Sequence, residues 1–204
     1  MNNHKENENI SVKRTKTAFK KAMLELVDEK QFKSIAVRDI VSHSGYGRST
    51  FYTHFHDKYD LCDWIIEDEA LSYVKTVIEA ILKNIPLDND KAMYDACYMI
   101  LKQQNDNKLF YNALIHELIP NYSVSNFADK TYLLLMESFD YSPSHWPKEL
   151  DHKFYFYILT NTLIDQIKYW EKQGYKQTVE EMAIQARALH IMWGYKPVVL
   201  KNND

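Results

Sequence analysis

Residues 45–58, Gly-Tyr-Gly-Arg-Ser-Thr-Phe-Tyr-Thr-His-Phe-His-Asp-Lys, leave this chain few ways to fold. Just upstream, Val37, Ile40 and Val41 recur at helical spacing until Gly45 breaks the pattern. Downstream, Phe51 and Phe55 are four residues apart, so they share one face of a second helix that starts near Gly47. Arg48, Ser49, Thr50 and Tyr52 fall off that apolar line and are predicted to point outward. A short helix, a glycine turn and a second short helix with a donor-rich outer face describe a helix-turn-helix, a device for reading DNA.

The rest of the chain is predicted to be helical as well. Only 4 Gly and 5 Pro occur among 204 residues, which leaves few places for tight turns, and a 46% apolar content suffices for a packed core. The fold class expected is therefore all-α. Cys62 and Cys97 are far apart and match no metal-ligand spacing, so neither a disulfide nor a zinc site is expected and a reducing, cytoplasmic setting is implied. The polar stretch Met1 to Ile10 is unlike a signal peptide, and no run of apolar residues is long enough to span a bilayer, so no membrane partner is expected. The net charge of -3 divides unevenly: residues 1–60 carry 11 Lys/Arg against 8 Asp/Glu, while the remainder is acidic. A basic head on an acidic body suits contact with phosphate at one end only.

In chain order, Ser11 is placed to cap a helix reaching about Gln31, with Phe19, Ala22, Met23, Leu26 and Val27 as its inward stripe. Lys13, Arg14 and Lys16 on its first turns are candidate phosphate contacts. Phe32 is expected to plug the junction to a helix at 36–44, from which Arg38 points outward. Gly45 supplies the left-handed position that ends this helix, and Tyr46 and Gly47 complete the turn. In the helix that follows, hydroxyls and first-turn amides suit phosphate oxygens. Arg48 has the fork that fits guanine O6 and N7. Tyr52 and His54 are placed to touch backbone or base, and His56 reads as a surface histidine.

Residues 12–61 resemble the DNA-binding head of TetR-type (tetracycline-repressor-like) regulators. The resemblance rests on an ordered set: an apolar first helix, Val37-Arg38-Asp39-Ile40 in the second, and a glycine turn. Thr50-Phe51-Tyr52-Thr53-His54-Phe55 in the third then precedes Asp57-Lys58 at the start of a long fourth helix. It implies a helix-turn-helix DNA-binding domain at 10–57, a helical regulatory and dimerisation domain at 58–204, and a homodimer on double-stranded operator DNA. By position, Thr50, Tyr52 and Lys58 match places that hold phosphates in the family. Arg38, Arg48, Ser49 and His54 match places that read bases. Two residues depart from the pattern: Gly47 and Ala36 stand where a capping hydroxyl or amide is common.

Beyond Asp57 and Asp60, which suit the start of the fourth helix, helical patterns run to about Leu82 and then at about 91–105, 108–118, 124–139, 150–173 and 178–193. Tyr141 to Pro147 separates the third of these later patterns from the fourth. The stretch from Phe154 to Leu159 leaves little polar face, so its helix is expected to be buried on several sides. Thr178 and Glu181 form a capping box for the last helix, with Met182, Ala186, Leu189 and Trp193 inward. Trp170, Gly174 and the 178–183 run are similar to the last two helices of many TetR-type chains. This implies a dimer interface at 150–173 and 178–193, with Ala183 and Ala186 permitting close approach.

The resemblance implies an effector pocket for a small molecule in the body, with Tyr94, Tyr98, Phe110, Tyr111, Tyr132, Met136 and Tyr157 as candidates to line it, and the tyrosines fit a partly polar cavity because each buried hydroxyl needs a partner. Ordinary core packing is the alternative for each. No glycine-rich phosphate loop, G-x-S-x-G, H-E-x-x-H or Cys/His cluster occurs, so no enzyme activity, cofactor or metal is expected. The function expected is a ligand-responsive dimeric transcriptional regulator, a repressor on a palindromic operator. The alternative is a DNA-bound protein of the same fold whose body docks a protein partner and takes no small-molecule effector.

Overall fold

The computed structural model describes residues 2–84, 90–138, 149 and 151–192, and among these every regular element is helical. The helices are α1 (Asn2–Glu29), α2 (Val37–Ser44), α3 (Arg48–His54), α4 (Lys58–Asn84), α5 (Asp90–Asp106), α6 (Lys108–Ile115), α7 (Val124–Ser138), α8 (His152–Lys172) and α9 (Val179–Met192). A single 3₁₀ turn, Phe32–Ser34, precedes α2. The chain forms two compact units. One runs up to Asp68 and includes Asn112–Ser123; the other comprises Glu69–Tyr111 and the chain from Val124 onward. By sequence, α4 and α6 each belong partly to both.

The first unit is built on the aromatic side chains the sequence had singled out. Phe19 of α1 packs edge-on to Phe51 at 5.2 Å and to Phe55 at 6.2 Å, and all three are buried. Ala22, Met23, Leu26 and Val27 continue the stripe, Phe32 is buried at the junction, and Ile40 is fully buried on α2. Burying large apolar side chains contributes roughly 1.5–3 kcal/mol each, which is what holds helices as short as α2 and α3 in place. Asn112–Ser123 packs in this unit, where the Tyr122 hydroxyl donates to Asp63 on α4. Lys20 pairs with Asp68 at 2.7 Å.

The N-terminus differs from the expectation of a helix capped at Ser11. The helix runs back to Asn2, so Ser11 lies inside it and its carbonyl accepts from the Thr15 hydroxyl at 3.0 Å. Serine is a cap only where the helical ladder ends, and here the ladder continues.

The second unit pairs α5 with α9 and α7 with α8. Its centre is a closed aromatic cluster in which the Phe127 ring lies 5.2 Å from Phe110, 5.9 Å from Tyr111 and 6.0 Å from Tyr73. Gln104, fully buried, donates to the Tyr73 hydroxyl at 3.2 Å and to the Leu163 carbonyl at 2.9 Å, which ties α5 to α4 and α8. The turn after α8 is closed by the indole of Trp170 donating to the Gln177 carbonyl at 3.0 Å. At the start of α9 the amide of Thr178 donates to Glu181 and the amide of Glu181 to the Thr178 hydroxyl, the reciprocal capping box read from the sequence.

Burial of α8 on several sides is not met within the protomer. Phe156, Leu159, Leu163, Ile164, Ile167 and Trp170 are buried, while Phe154, Tyr157 and Tyr169 are each about half exposed or more, and Ile158 is also exposed. On α9, Met182, Ala183, Ala186 and His190 face inward, Leu189 is half-buried, and Ile184, Ile191 and Met192 are exposed. The expected breaks around Pro86 and at 141–147, together with Trp193, lie outside the described residues.

Candidate nucleic-acid interface and body cavity

Helix α3 is fixed from below and left bare above. Phe51 and Phe55 anchor it against α1, so its other face presents Arg48, Ser49 and Tyr52, all exposed, with Thr50 and His54 half-buried. Gly45 adopts φ 74°, the left-handed conformation that ends α2 and sets the turn. Tyr46 is braced by its ring 5.6 Å from Phe19, and its amide donates to the Ser44 hydroxyl at 3.3 Å. Gly47 caps α3 with extended backbone and no side-chain hydrogen bond. The exposed first-turn amides of α3 therefore have no side-chain competitor from the cap position.

Arg48 leans toward its neighbour one turn on, its guanidinium carbon 5.8 Å from the Tyr52 ring centre. The contact restricts the arginine without occupying its donor fork. Lys13, Arg14 and Arg38 are exposed, with Arg38 3.5 Å from Asp39. Burial, and secondarily the charge of Lys16, lowers the pKa of His54 below the usual histidine value. Lys16 itself lies between the rings of Phe55 and Trp64, at 5.3 and 5.2 Å.

The missing cap on α2 is replaced from within the helix. Ala36 has no side-chain acceptor, yet its backbone amide donates to Asp39 at 2.9 Å, and Lys30 joins the same oxygen at 3.1 Å. The Ala36 amide first, and Lys30 second, hold the Asp39 carboxyl below the usual carboxylate range. On α4, Asp57 accepts from the amides of Tyr59 and Asp60, and Asp60 accepts from the amide of His56. Lys58 is engaged within the head: its ammonium donates to the carbonyls of Phe32 and Ile35, both at 2.8 Å. Sequence spacing gave no sign of this, because the partners are 23 and 26 residues away.

In the second unit a cavity of about 40 Å³ lies among α4, α5, α8 and α9. Val77, Met93, Ala96, Cys97, Ile100 and Leu163 form most of its wall, and Gln166 and His190 supply its polar groups. None of the seven residues expected to line a pocket borders it. Phe110 and Tyr111 are instead buried in the aromatic cluster, with the Tyr111 hydroxyl donating to Gln103 at 3.2 Å. Tyr94 stacks on Tyr98 at 6.2 Å, Tyr132 meets Tyr157 at 6.1 Å with Tyr157 exposed, and Met136 is half-buried. Burial pushes the thiols of Cys62 and Cys97 up to about 12, so both remain protonated and inert. Among the described residues, no group of His, Cys, Asp or Glu side chains is arranged to hold a metal ion, and no helix is long and apolar enough to cross a membrane.

A helix-turn-helix unit with a cationic outer face, joined through a shared helix to a larger helical unit, is the build of a transcriptional regulator. The family model described as a transcriptional regulator C-terminal region, of the TetR type, matches residues 91–190. Residues 91–190 thus match the C-terminal region of TetR-type transcriptional regulators. Solved structures share its fold. A TetR-family regulator from Syntrophomonas wolfei str. Goettingen aligns with TM-score 0.64 and 19% identity over 89% of this chain and 95% of that one. The fatty acid degradation regulator FadR from Bacillus halodurans aligns with TM-score 0.63 and 16% identity over 86% and 93%. A TetR regulator from Streptococcus agalactiae 2603V aligns with TM-score 0.52 and 22% identity over 89% and 96%. No curated protein sequence matches the chain.

Proposed function

We propose that the chain is a ligand-responsive repressor that acts as a homodimer and binds a two-fold symmetric DNA operator through α3. The observation that carries this reading is the division of α3 into two faces: Phe51 is fully buried with Phe55 beneath the helix, and Arg48, Ser49 and Tyr52 stand free above it. The buried face fixes the angle of the helix, and the free face supplies donors for base edges and phosphates. Lys13, Arg14, Arg38, Tyr46, Gly47, Thr50 and His54 complete the proposed DNA-binding surface.

Dimerisation is assigned to α8 and α9. Phe154, Ile158 and Tyr169 on α8, and Ile184, Ile191 and Met192 on α9, expose apolar area that a second copy would cover. Two heads in such a dimer would contact half-sites roughly 34–36 Å apart, one turn of DNA. An effector in the second unit would act on the head through α4, which runs unbroken from Lys58 to Asn84. A coupling of about 1–3 kcal/mol suffices to change operator affinity 5- to 150-fold. Repression is also the role of one structural relative, the TetR-family repressor AlkX of Dietzia, while another, DhaS, is a dihydroxyacetone kinase operon activator.

Selection of bound sequences from random DNA by the purified protein tests the proposal. Enrichment of an inverted repeat with half-sites one helical turn apart supports it. Binding without enrichment, lost uniformly as salt rises, overturns sequence-specific regulation. A reporter placed under the recovered site then reads the sign of control.

A further inference from the structure

The cavity among α4, α5, α8 and α9 has an unusual chemical lining for a chain with 26% charged residues. Its wall is aliphatic and thioether surface from Val77, Met93, Ala96, Ile100 and Leu163, with the Cys97 thiol among them. Among the described residues, none that lines it bears a fixed charge. Two polar side chains reach it. Gln166 brings an amide whose Nε2 is buried and has no hydrogen-bond partner among the described residues. His190 brings an imidazole on α9 that is itself buried.

We infer that this cavity is the effector site and that its ligand is a small uncharged molecule with an aliphatic body and one carbonyl head, such as an amide, ketone or ester. The inference rests on the reading of the chain as a ligand-responsive regulator and adds the class of ligand. A buried amide N–H without an acceptor costs roughly 1–3 kcal/mol, and a ligand carbonyl at Gln166 removes that penalty. A carboxylate or phosphate placed there would meet no cation on the wall, and burying an unpaired anion is far more costly than burying a neutral carbonyl. Burial holds the His190 pKa below the usual histidine value, so the imidazole is neutral at pH 7 and supplies no compensating charge. Arg187, on the preceding turn of α9, is not among the lining residues, and its guanidinium lies 3.5 Å from Asp90. The aliphatic wall selects the rest of the ligand by ordinary apolar burial.

At about 40 Å³ the cavity is smaller than the roughly 150 Å³ that holds a benzene ring, so a ligand must part its walls. Met93 is the wall residue suited to this, being unbranched with three rotatable bonds. Opening the cavity would work against the packing of α5 on α9, and α4, which lines the cavity through Val77 and Ile81, continues into the head unit.

Hexanamide and hexanoate form a matched pair of probes, nearly equal in shape and different in charge. Calorimetric titration of the full-length protein at pH 7.5 is expected to show hexanamide binding at least about tenfold more tightly than hexanoate. Gln166→Leu, at a half-buried position, is expected to weaken hexanamide about fivefold or more, consistent with loss of one hydrogen bond. Ala96→Leu is expected to abolish binding by filling the space, with far-UV circular dichroism confirming that each variant folds. Equal binding of both probes, or binding of neither, overturns the inference, and preference for hexanoate overturns it in favour of a site built on Arg187. The same preparation is assayed on its selected operator. Operator binding without probe binding removes this inference and leaves the regulator reading intact. Hexanamide binding with no effect on operator affinity keeps the ligand class and removes ligand control.

Discussion

The ammonium of Lys58 lies 2.8 Å from the carbonyl oxygen of Phe32 and 4.2 Å from the centre of the same residue's ring. With its second bond to Ile35, this lysine pins the first turn of α4 to the link between α1 and α2. A hydrogen bond to a charged group contributes about 1.5–3 kcal/mol, and part of that is lost to solvent at a half-buried site. Lys58→Met is therefore expected to destabilise the protein by about 1–2 kcal/mol in urea unfolding. The salt dependence of operator binding should stay within about half a unit of the wild-type slope. A fall of about one unit would show that Lys58 leaves these carbonyls for a phosphate.

Arg48 makes a different prediction, because its donors face solvent and its guanidinium rests over the Tyr52 ring. Arg48→Ala should cost about 1–3 kcal/mol on the selected operator and relax preference at one base pair in each half-site. Equal losses on operator and random DNA would remove its role in reading bases.

Acid should act on the head through Asp39. Its carboxyl is held below the ordinary aspartate value of 3.8 by the Ala36 amide and Lys30. A group with a lowered folded pKa contributes stability that is fully present above the unfolded value and lost as pH falls through the folded one. Asp39→Asn should thus be less stable than wild type at pH 7, and the two should converge as pH falls below the ordinary aspartate value. Thermal unfolding between pH 2.5 and 7 measures this, and a constant gap would refute it.

The exposed apolar face of α8 and α9 should respond to charge. Ile184→Glu places a carboxylate where the proposed dimer buries an aliphatic side chain. Dissociation is expected to rise at least hundredfold, about 3 kcal/mol, by sedimentation equilibrium, with the protomer's helix content unchanged. A dimer of wild-type strength would move the interface elsewhere.

Much of the head was legible because its signals are local. Phe51 and Phe55 declare a helix face by their spacing and Gly45 marks the turn, and in the second unit Thr178 with Glu181 three residues on likewise marks the start of α9. The partners of Lys58 and the body cavity were not legible, for a physical reason. Both depend on segments distant in sequence meeting in space. Val77, Ala96, Ile100 and Leu163 around the cavity are the same residue types that fill any core, so nothing in their pattern separates a wall from a packing contact. Tyrosine drew attention to itself by its hydroxyl, yet Gln104 and Gln103 already satisfy Tyr73 and Tyr111 within the packed centre. Asp39 was equally hidden, since the absence of a hydroxyl at Ala36 pointed to a bare helix end that a side chain three residues later had covered.

The bareness of Gly47 is another matter. Its φ of -79° is open to any residue, and a β-carbon there would meet only the hydroxyls of Thr50 and Ser49, at 3.8 and 3.9 Å. Nothing in the backbone demands glycine. A serine fits there, and its hydroxyl would accept from a first-turn amide of α3. The bare start of α3 is thus a matter of side chain and not of backbone, open to adjustment by one substitution that leaves the buried aromatic core beneath it untouched.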